Sequence, residues 1–184
     1  MTRPDATLAA DALRRLVVDV PDFPEPGVVF KDITPVLADP EAFGLAVEAL
    51  AHAGRDESGR CVVDRVVGVE ARGFILAAPV ALALGAGLVP VRKAGKLPRA
   101  TYSESYALEY GEAVLEMHRD GLRGGDRVLL VDDVLATGGT VAATCRLVER
   151  AGAVAHGVAV LMDLSFLPGR ETIGELPLTS LMTV

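Results

Sequence analysis

The chain has 184 residues, of which 51% are apolar and only 4% aromatic, and a formal net charge of −7. That length supports one α/β domain with a core of Val, Leu, Ala and Ile, and is short for two. The acidic balance excludes a nucleic-acid binder that relies on a basic surface, and two widely separated cysteines, Cys61 and Cys145, fit reduced, buried thiols of a cytosolic protein.

Leu8, Ala12, Leu16 and Val20 recur at helical spacing, so an amphipathic helix is expected to open the chain. The Pro-rich run PDFPEPG at 21–27 ends it and leads into an extended stretch from Val28 to Ile33. Asp39 and Pro40 read as the N-cap and first position of a second helix closing near Gly54. Arg65 to Val69 is a strand. From Phe74 to Val91 no charge occurs, a stretch at the lower limit for crossing a membrane. Pro79, Gly85, Gly87 and Pro90 interrupt it, so a buried helix from about Gly73 to Leu84, a glycine turn and a strand at Leu88 to Val91 fit better. The N-terminus lacks a signal peptide's apolar core, because Asp5, Asp11, Arg14 and Arg15 break it up. No membrane association and a cytoplasmic location are expected.

Residues 100–111, ATYSESYALEYG, combine polar residues with three tyrosines, which suits a mobile loop closing over a site; a surface hairpin is also compatible. Ala113 to His118 alternates as a strand, Gly121 to Asp126 is a turn, and Val128 to Val131 is a short buried strand. VAATCRLVERAGA follows as a helix, and Val154 to Leu161 is the last core strand. Strands alternating with helices imply a mostly parallel central sheet flanked by helices. Ligands in such sheets bind at the carboxyl ends of strands. Those ends carry Glu70-Ala71-Arg72, Arg92-Lys93 and Asp132-Asp133.

The run from Val128 to Thr140, VLLVDDVLATGGT, carries the most chemistry. A strand, the small-residue turn Ala136-Thr137-Gly138-Gly139-Thr140 and a helix start make an anion cradle. Glycines let amides approach, the threonines add hydroxyl donors, and the helix start supplies about half a positive charge. No lysine follows Gly139, which disfavours a nucleoside-triphosphate loop. Asp132 and Asp133 would repel the phosphate unless they bound hydroxyl donors, a metal ion, or both. A ribose 5-phosphate satisfies this, with its phosphate on the loop and its 2- and 3-hydroxyls on the acids. His52, His118 and His156 share no metal-ligand spacing, neither cysteine neighbours a histidine, and Ser103 and Ser105 lack a G-x-S-x-G setting, so no protein metal ligand and no Ser/Cys hydrolase site is assigned.

VVDDxxATGGT resembles the ribose-phosphate motif of the type I phosphoribosyltransferases. Three further segments, PDFPEPGVVFKDITPVL at 21–37, GVEARGF at 68–74 and RKAGKLPRATYSESYALEYG at 92–111, resemble the adenine enzymes of that family, in the same order over nearly the whole chain. The resemblance implies the type I phosphoribosyltransferase fold as a single domain over 1–184, with residues up to about 35 contributing to a small N-terminal hood over the base. It also implies a flexible loop over the site. The activity implied is purine salvage: transfer of the phosphoribosyl group from 5-phosphoribosyl 1-pyrophosphate to adenine, giving AMP and pyrophosphate, with Mg²⁺ carried largely by substrate oxygens.

By resemblance, Val29 reads the exocyclic amine through its backbone, Phe30 offers a flat face to the purine, and Arg72 donates to a ring nitrogen and stands near the pyrophosphate. Arg92, Lys93 and Lys96, with Tyr110, contact the pyrophosphate, partly across the interface of a homodimer; Arg99 is left as solvated. Glu109 of LEYG is placed to manage the purine proton. The alternatives are a transferase for another purine base, which a lysine in the base pocket would favour, and a non-catalytic regulator that binds phosphoribosyl pyrophosphate and nucleic acid.

Overall fold

The computed structural model describes residues 4–107 and 112–184. The chain opens with α1 (Pro4–Leu16), then β1 (Val18–Pro21) and β2 (Val29–Asp32), which pair antiparallel as a separate two-stranded ribbon. A short α2 (Thr34–Ala38) and α3 (Pro40–Ala51) follow, then β3 (Arg65–Val69), α4 (Arg72–Leu84) and β4 (Gly87–Lys93). Next come β5 (Thr101–Ala107), β6 (Glu112–His118), β7 (Arg127–Leu135), α5 (Gly139–Arg150), β8 (Val154–Asp163), α6 (Gly169–Ile173) and β9 (Leu178–Thr183). The central sheet has the order β5-β6-β4-β3-β7-β8-β9. Strands from β4 to β9 in that order run parallel, while β6 and β5 close one edge as an antiparallel hairpin.

Strand alternation divides the interior in two. Leu129 and Val131 of β7, with Ala159 and Leu161 of β8, face α1, α3 and α4; Val128 and Leu130, with Val158 and Val160, face α5. Because both faces are covered, the middles of the central strands are continuously apolar, as in Val128–Val131 of β7 and Val158–Met162 of β8. The second helix begins as expected, with the Asp39 carboxylate accepting the N–H groups of Glu41 and Ala42 at 3.0 and 2.9 Å. The long uncharged stretch divides into α4 and β4, with Pro79 inside the helix and Gly85 closing it at φ 65°. No described helix is long and apolar enough to cross a membrane.

Several expectations need correction. In α1 the expected Ala12 is buried and Leu16 packs against the core, but the stripe is completed by Ala9 and Leu13, whereas Leu8 is half exposed and Val20 lies in β1. Alanine is too small and too tolerant of exposure to mark a core face, so spacing counted from Leu8 runs along the margin of the buried face rather than its centre. Residues 101–107 form a strand paired along β6 rather than a loop, and 108–111 lie outside the described residues. The last core strand is β9, whose mixed LTSLMT pattern reflects its place at the sheet edge. Neither cysteine is fully buried. Both are free, and burial, then the Glu149 carboxylate, pushes the Cys145 thiol up to about 11.

Candidate active site

Parallel pairing levels the carboxyl ends of three neighbouring strands. Val69 lies opposite Val91, and Gly68 opposite Val131. The next residues, Glu70, Arg92 and Asp132, therefore emerge at one edge, as the alternation of strands and helices predicts. The aspartates are not in the loop after β7 but inside the strand, which stays paired with β8 through Leu135. Backbone pairing ignores the side-chain polarity that made the strand look shorter. Together with Val29 and Phe30 of β2, Glu70 to Arg72, Lys93, Tyr106, Ala136 and Thr140, they line a cleft of about 500 Å³. A larger hollow of about 640 Å³, bordered by Ala6, His52, Cys61 and Ser180, gathers none of these groups.

The floor of the cleft is built around the acid pair. Asp133 is buried and forms an ion pair with Nε of Arg72, while its N–H donates to Asp132 Oδ1 at 2.9 Å. Burial, and then the neighbouring Asp133 charge, pushes the Asp132 carboxyl well above the usual range. Gly73, at the start of α4, makes the arrangement possible: a Cβ there would come within 2.9 Å of Asp132 Oδ1 and the Val131 carbonyl. The Arg72 guanidinium also lies 5.0 Å from the centre of the Phe30 ring, a cation–π distance, and Phe23 packs edge-on against Phe30 at 5.2 Å.

Glu70 organises the basic side. Its carboxylate accepts from Arg92 Nε at 3.1 Å and Nη2 at 3.4 Å, and from the Lys93 N–H at 3.1 Å. Burial alone would raise the Glu70 carboxyl, but these donors outweigh it and hold the group below the ordinary glutamate value. Arg92 also donates to the Lys96 carbonyl at 3.1 Å, so Lys96 joins the cluster through its backbone; of the three expected pyrophosphate contacts Lys93 lines the cleft, and Arg92 and Lys96 do not. Arg99 pairs with Asp120 at the surface. The Glu70–Ala71 peptide is cis.

The turn Ala136–Thr140 opens α5, with Gly138 as N-cap at φ 81° and no side-chain cap on the helix amides. Such a start presents backbone N–H groups to an anion. Thr140 Oγ1 donates to the Tyr106 hydroxyl at 3.4 Å, joining the β5–β6 hairpin to the loop. Glu70 and Tyr106 line the cleft and Gly73 packs against Asp132, although the motif segments that contain them assign them no role. Glu109 and Tyr110 lie outside the described residues.

An anion loop, an acid pair and a base-sized aromatic platform at the end of a parallel sheet define a nucleotide-forming transferase. Residues 37–166 match the family profile described as "Phosphoribosyl transferase domain". An adenine phosphoribosyltransferase from Nocardioides is 66% identical over 98% of this chain and 97% of its own. Among solved structures, the adenine phosphoribosyltransferase of Rhodothermus marinus superposes with a TM-score of 0.89 at 50% identity, covering 96% of this chain and 99% of that one. The Saccharomyces cerevisiae enzyme, solved with an imino-altritol bisphosphate and adenine, gives 0.89 at 36% identity over 95% and 99%. The chain belongs to the adenine phosphoribosyltransferase family.

Proposed function

We propose that the chain transfers the 5-phosphoribosyl group from 5-phosphoribosyl 1-pyrophosphate to adenine in purine salvage, releasing AMP and pyrophosphate, with its parts arranged as follows. The amides of 136–140 and the hydroxyls of Thr137 and Thr140 hold the 5-phosphate. Asp132 and Asp133 accept the ribose 2- and 3-hydroxyls. Adenine stacks on Phe30, read by the Val29 backbone and by Arg72, which stands within reach of both the platform and the acids. Arg92, Lys93 and Lys96, together with Arg72 and Tyr110, receive the pyrophosphate, and Glu109 manages the proton lost from the purine.

Breaking the C1–oxygen bond leaves positive charge on the ribose and negative charge on the leaving group. The chain's contribution is to fix both ends of the ribose and to aim cations at the pyrophosphate. Among the described residues, no cluster of three or more His, Cys, Asp or Glu is placed to hold a metal. Two of the cleft carboxylates are already tied to cations, Asp133 to Arg72 and Glu70 to Arg92, which suits an ion carried by substrate oxygens. Mg²⁺ bound in that way would spread the leaving group's charge.

The observation that carries this reading is the meeting of the acid pair, the two ends of the phosphate loop (Ala136 and Thr140) and the Phe30–Arg72 platform in one cleft. An oxopurine substrate is less favoured. Lys31 does border the cleft, but its Nζ is held by Asp19 at 2.7 and 2.8 Å. A nucleic-acid-binding regulator is opposed by the net charge of −7. A homodimer and a cytoplasmic location complete the proposal. The exposed Ile75 and Leu82 of α4 support the first, and sedimentation tests it. The test of the activity is pyrophosphate release from purified protein with Mg²⁺, phosphoribosyl pyrophosphate and each purine in turn. Adenine should be strongly preferred; release with hypoxanthine or guanine but not adenine would refute the reading.

A further inference from the structure

Behind the phosphate loop stands a segment to which none of the roles above is given. β8 ends at Asp163, which is 1% exposed, and its Oδ2 accepts from Arg170 Nε of α6 at 2.7 Å. A carboxylate this buried needs a cationic partner. The chain between them presses on the loop. The Leu164 N–H donates to the Leu135 carbonyl at 3.0 Å. A Cβ on Gly169 would run into the Ala136 carbonyl, and one on Gly138 would come within 2.7 Å of Thr172 Cβ. Thr172 is itself fixed, its hydroxyl and its N–H both donating to the Pro168 carbonyl at 2.9 Å. Ala136 and Gly138 therefore meet α6 with no flexible side chain between them.

We propose that Arg170 is a positioning residue which, paired with Asp163, latches α6 against Ala136 and Gly138 and so sets the spacing of the amides that receive the 5-phosphate. The inference rests on that loop being the phosphate seat. Arg170 does not line the cleft, so its effect passes through the loop. Backbone amides hold a phosphate only at the spacing they are built with, and small displacements are costly. The base platform is carried by β2 and the start of α4, not by α6. Loosening α6 therefore weakens the phosphate side selectively.

The test uses Arg170→Gln, the conservative Arg170→Lys, and Gly169→Ala, whose added methyl pushes on the Ala136 carbonyl. Each is titrated with ribose 5-phosphate and assayed for the KM of both substrates, with folding checked by circular dichroism. For Arg170→Gln the ribose 5-phosphate Kd and the KM for phosphoribosyl pyrophosphate should rise roughly ten-fold or more. The KM for adenine should stay within about two-fold, Arg170→Lys should recover part of the loss, and Gly169→Ala should show the same selectivity. A folded Arg170→Gln that binds ribose 5-phosphate as tightly as the parent overturns the latch. So does an equal loss for both substrates, which would mean general loosening. A parent protein that does not bind ribose 5-phosphate at all overturns the phosphate seat, and the latch with it.

Discussion

Arg72 and Asp133, 61 positions apart in the chain, form an ion pair across the floor of the cleft, and the same guanidinium lies 5.0 Å from the Phe30 ring centre. One side chain thus touches the acid assigned to the ribose and the platform assigned to the base. The pair also settles the buried Asp133 charge, which would otherwise be costly.

Asp133→Asn keeps the shape of the side chain but removes its charge. Hydrogen bonds to an ionised acceptor contribute about 1.5–3 kcal/mol, so ribose 5-phosphate affinity should fall roughly ten-fold or more. Calorimetric titration measures this directly. Unchanged affinity would remove Asp133 from the ribose site.

The raised Asp132 carboxyl has a consequence for pH. A carboxylic acid whose folded pKa exceeds its unfolded value binds protons more tightly in the folded state. Its contribution to stability is therefore complete below the ordinary value of 3.8 and declines as pH rises toward the folded pKa. Hydroxyl donors favour the ionised form, so ribose binding should expel a proton and strengthen with rising pH over that window. The phosphate of the ligand also titrates, so the comparison is with Asp132→Asn. The variant should lose the extra pH dependence, read as proton release in two buffers of different ionisation enthalpy. Identical profiles for the two proteins would argue against a protonated Asp132.

Glu70→Gln tests the organisation of the basic side. The neutral amide still accepts hydrogen bonds but no longer fixes Arg92 by charge. Turnover should drop about ten-fold, as for other groups that orient a functional side chain. Because the Glu70 carboxyl is lowered on folding, its stabilising contribution is present above its ordinary value of 4.5 and is lost as pH falls through the folded pKa. The difference in denaturation midpoint between parent and variant should therefore narrow on acidification. A constant difference would mean that the ion pair contributes nothing to folding.

Much of this site is legible in the sequence because its geometry is local. VLLVDDVLATGGT specifies a strand, a turn and a helix start by itself, and parallel pairing then aligns Glu70, Arg92 and Asp132 without further information. What is not legible depends on distant partners. Nothing near Arg72 announces Asp133, and Gly73 matters only because Asp132 packs above it. In β5 the inward alternation is Tyr102, Glu104, Tyr106, and the acid in the middle obscures it. Arg146 and Arg150 of α5, at 3.1 and 2.8 Å, make a half-buried Glu104 acceptable there. The strand is recognisable only once that helix is in place.

Glu109 belongs to the LEYG motif, outside the described residues, and the resemblance to the adenine enzymes implies a role near the purine. Adenine must lose a proton when it attacks the ribose, and a carboxylate in a closed, dry site can take or relay it. Glu109→Gln preserves size and hydrogen-bonding capacity while removing that ability. Turnover should fall roughly a hundred-fold, the scale of general acid–base assistance. The KM for adenine should change far less, because binding and proton transfer make different demands on the group. Steady-state kinetics with adenine as the varied substrate checks this. Unchanged turnover would take Glu109 out of the chemistry, while a raised KM with unchanged turnover would make it a binding contact instead.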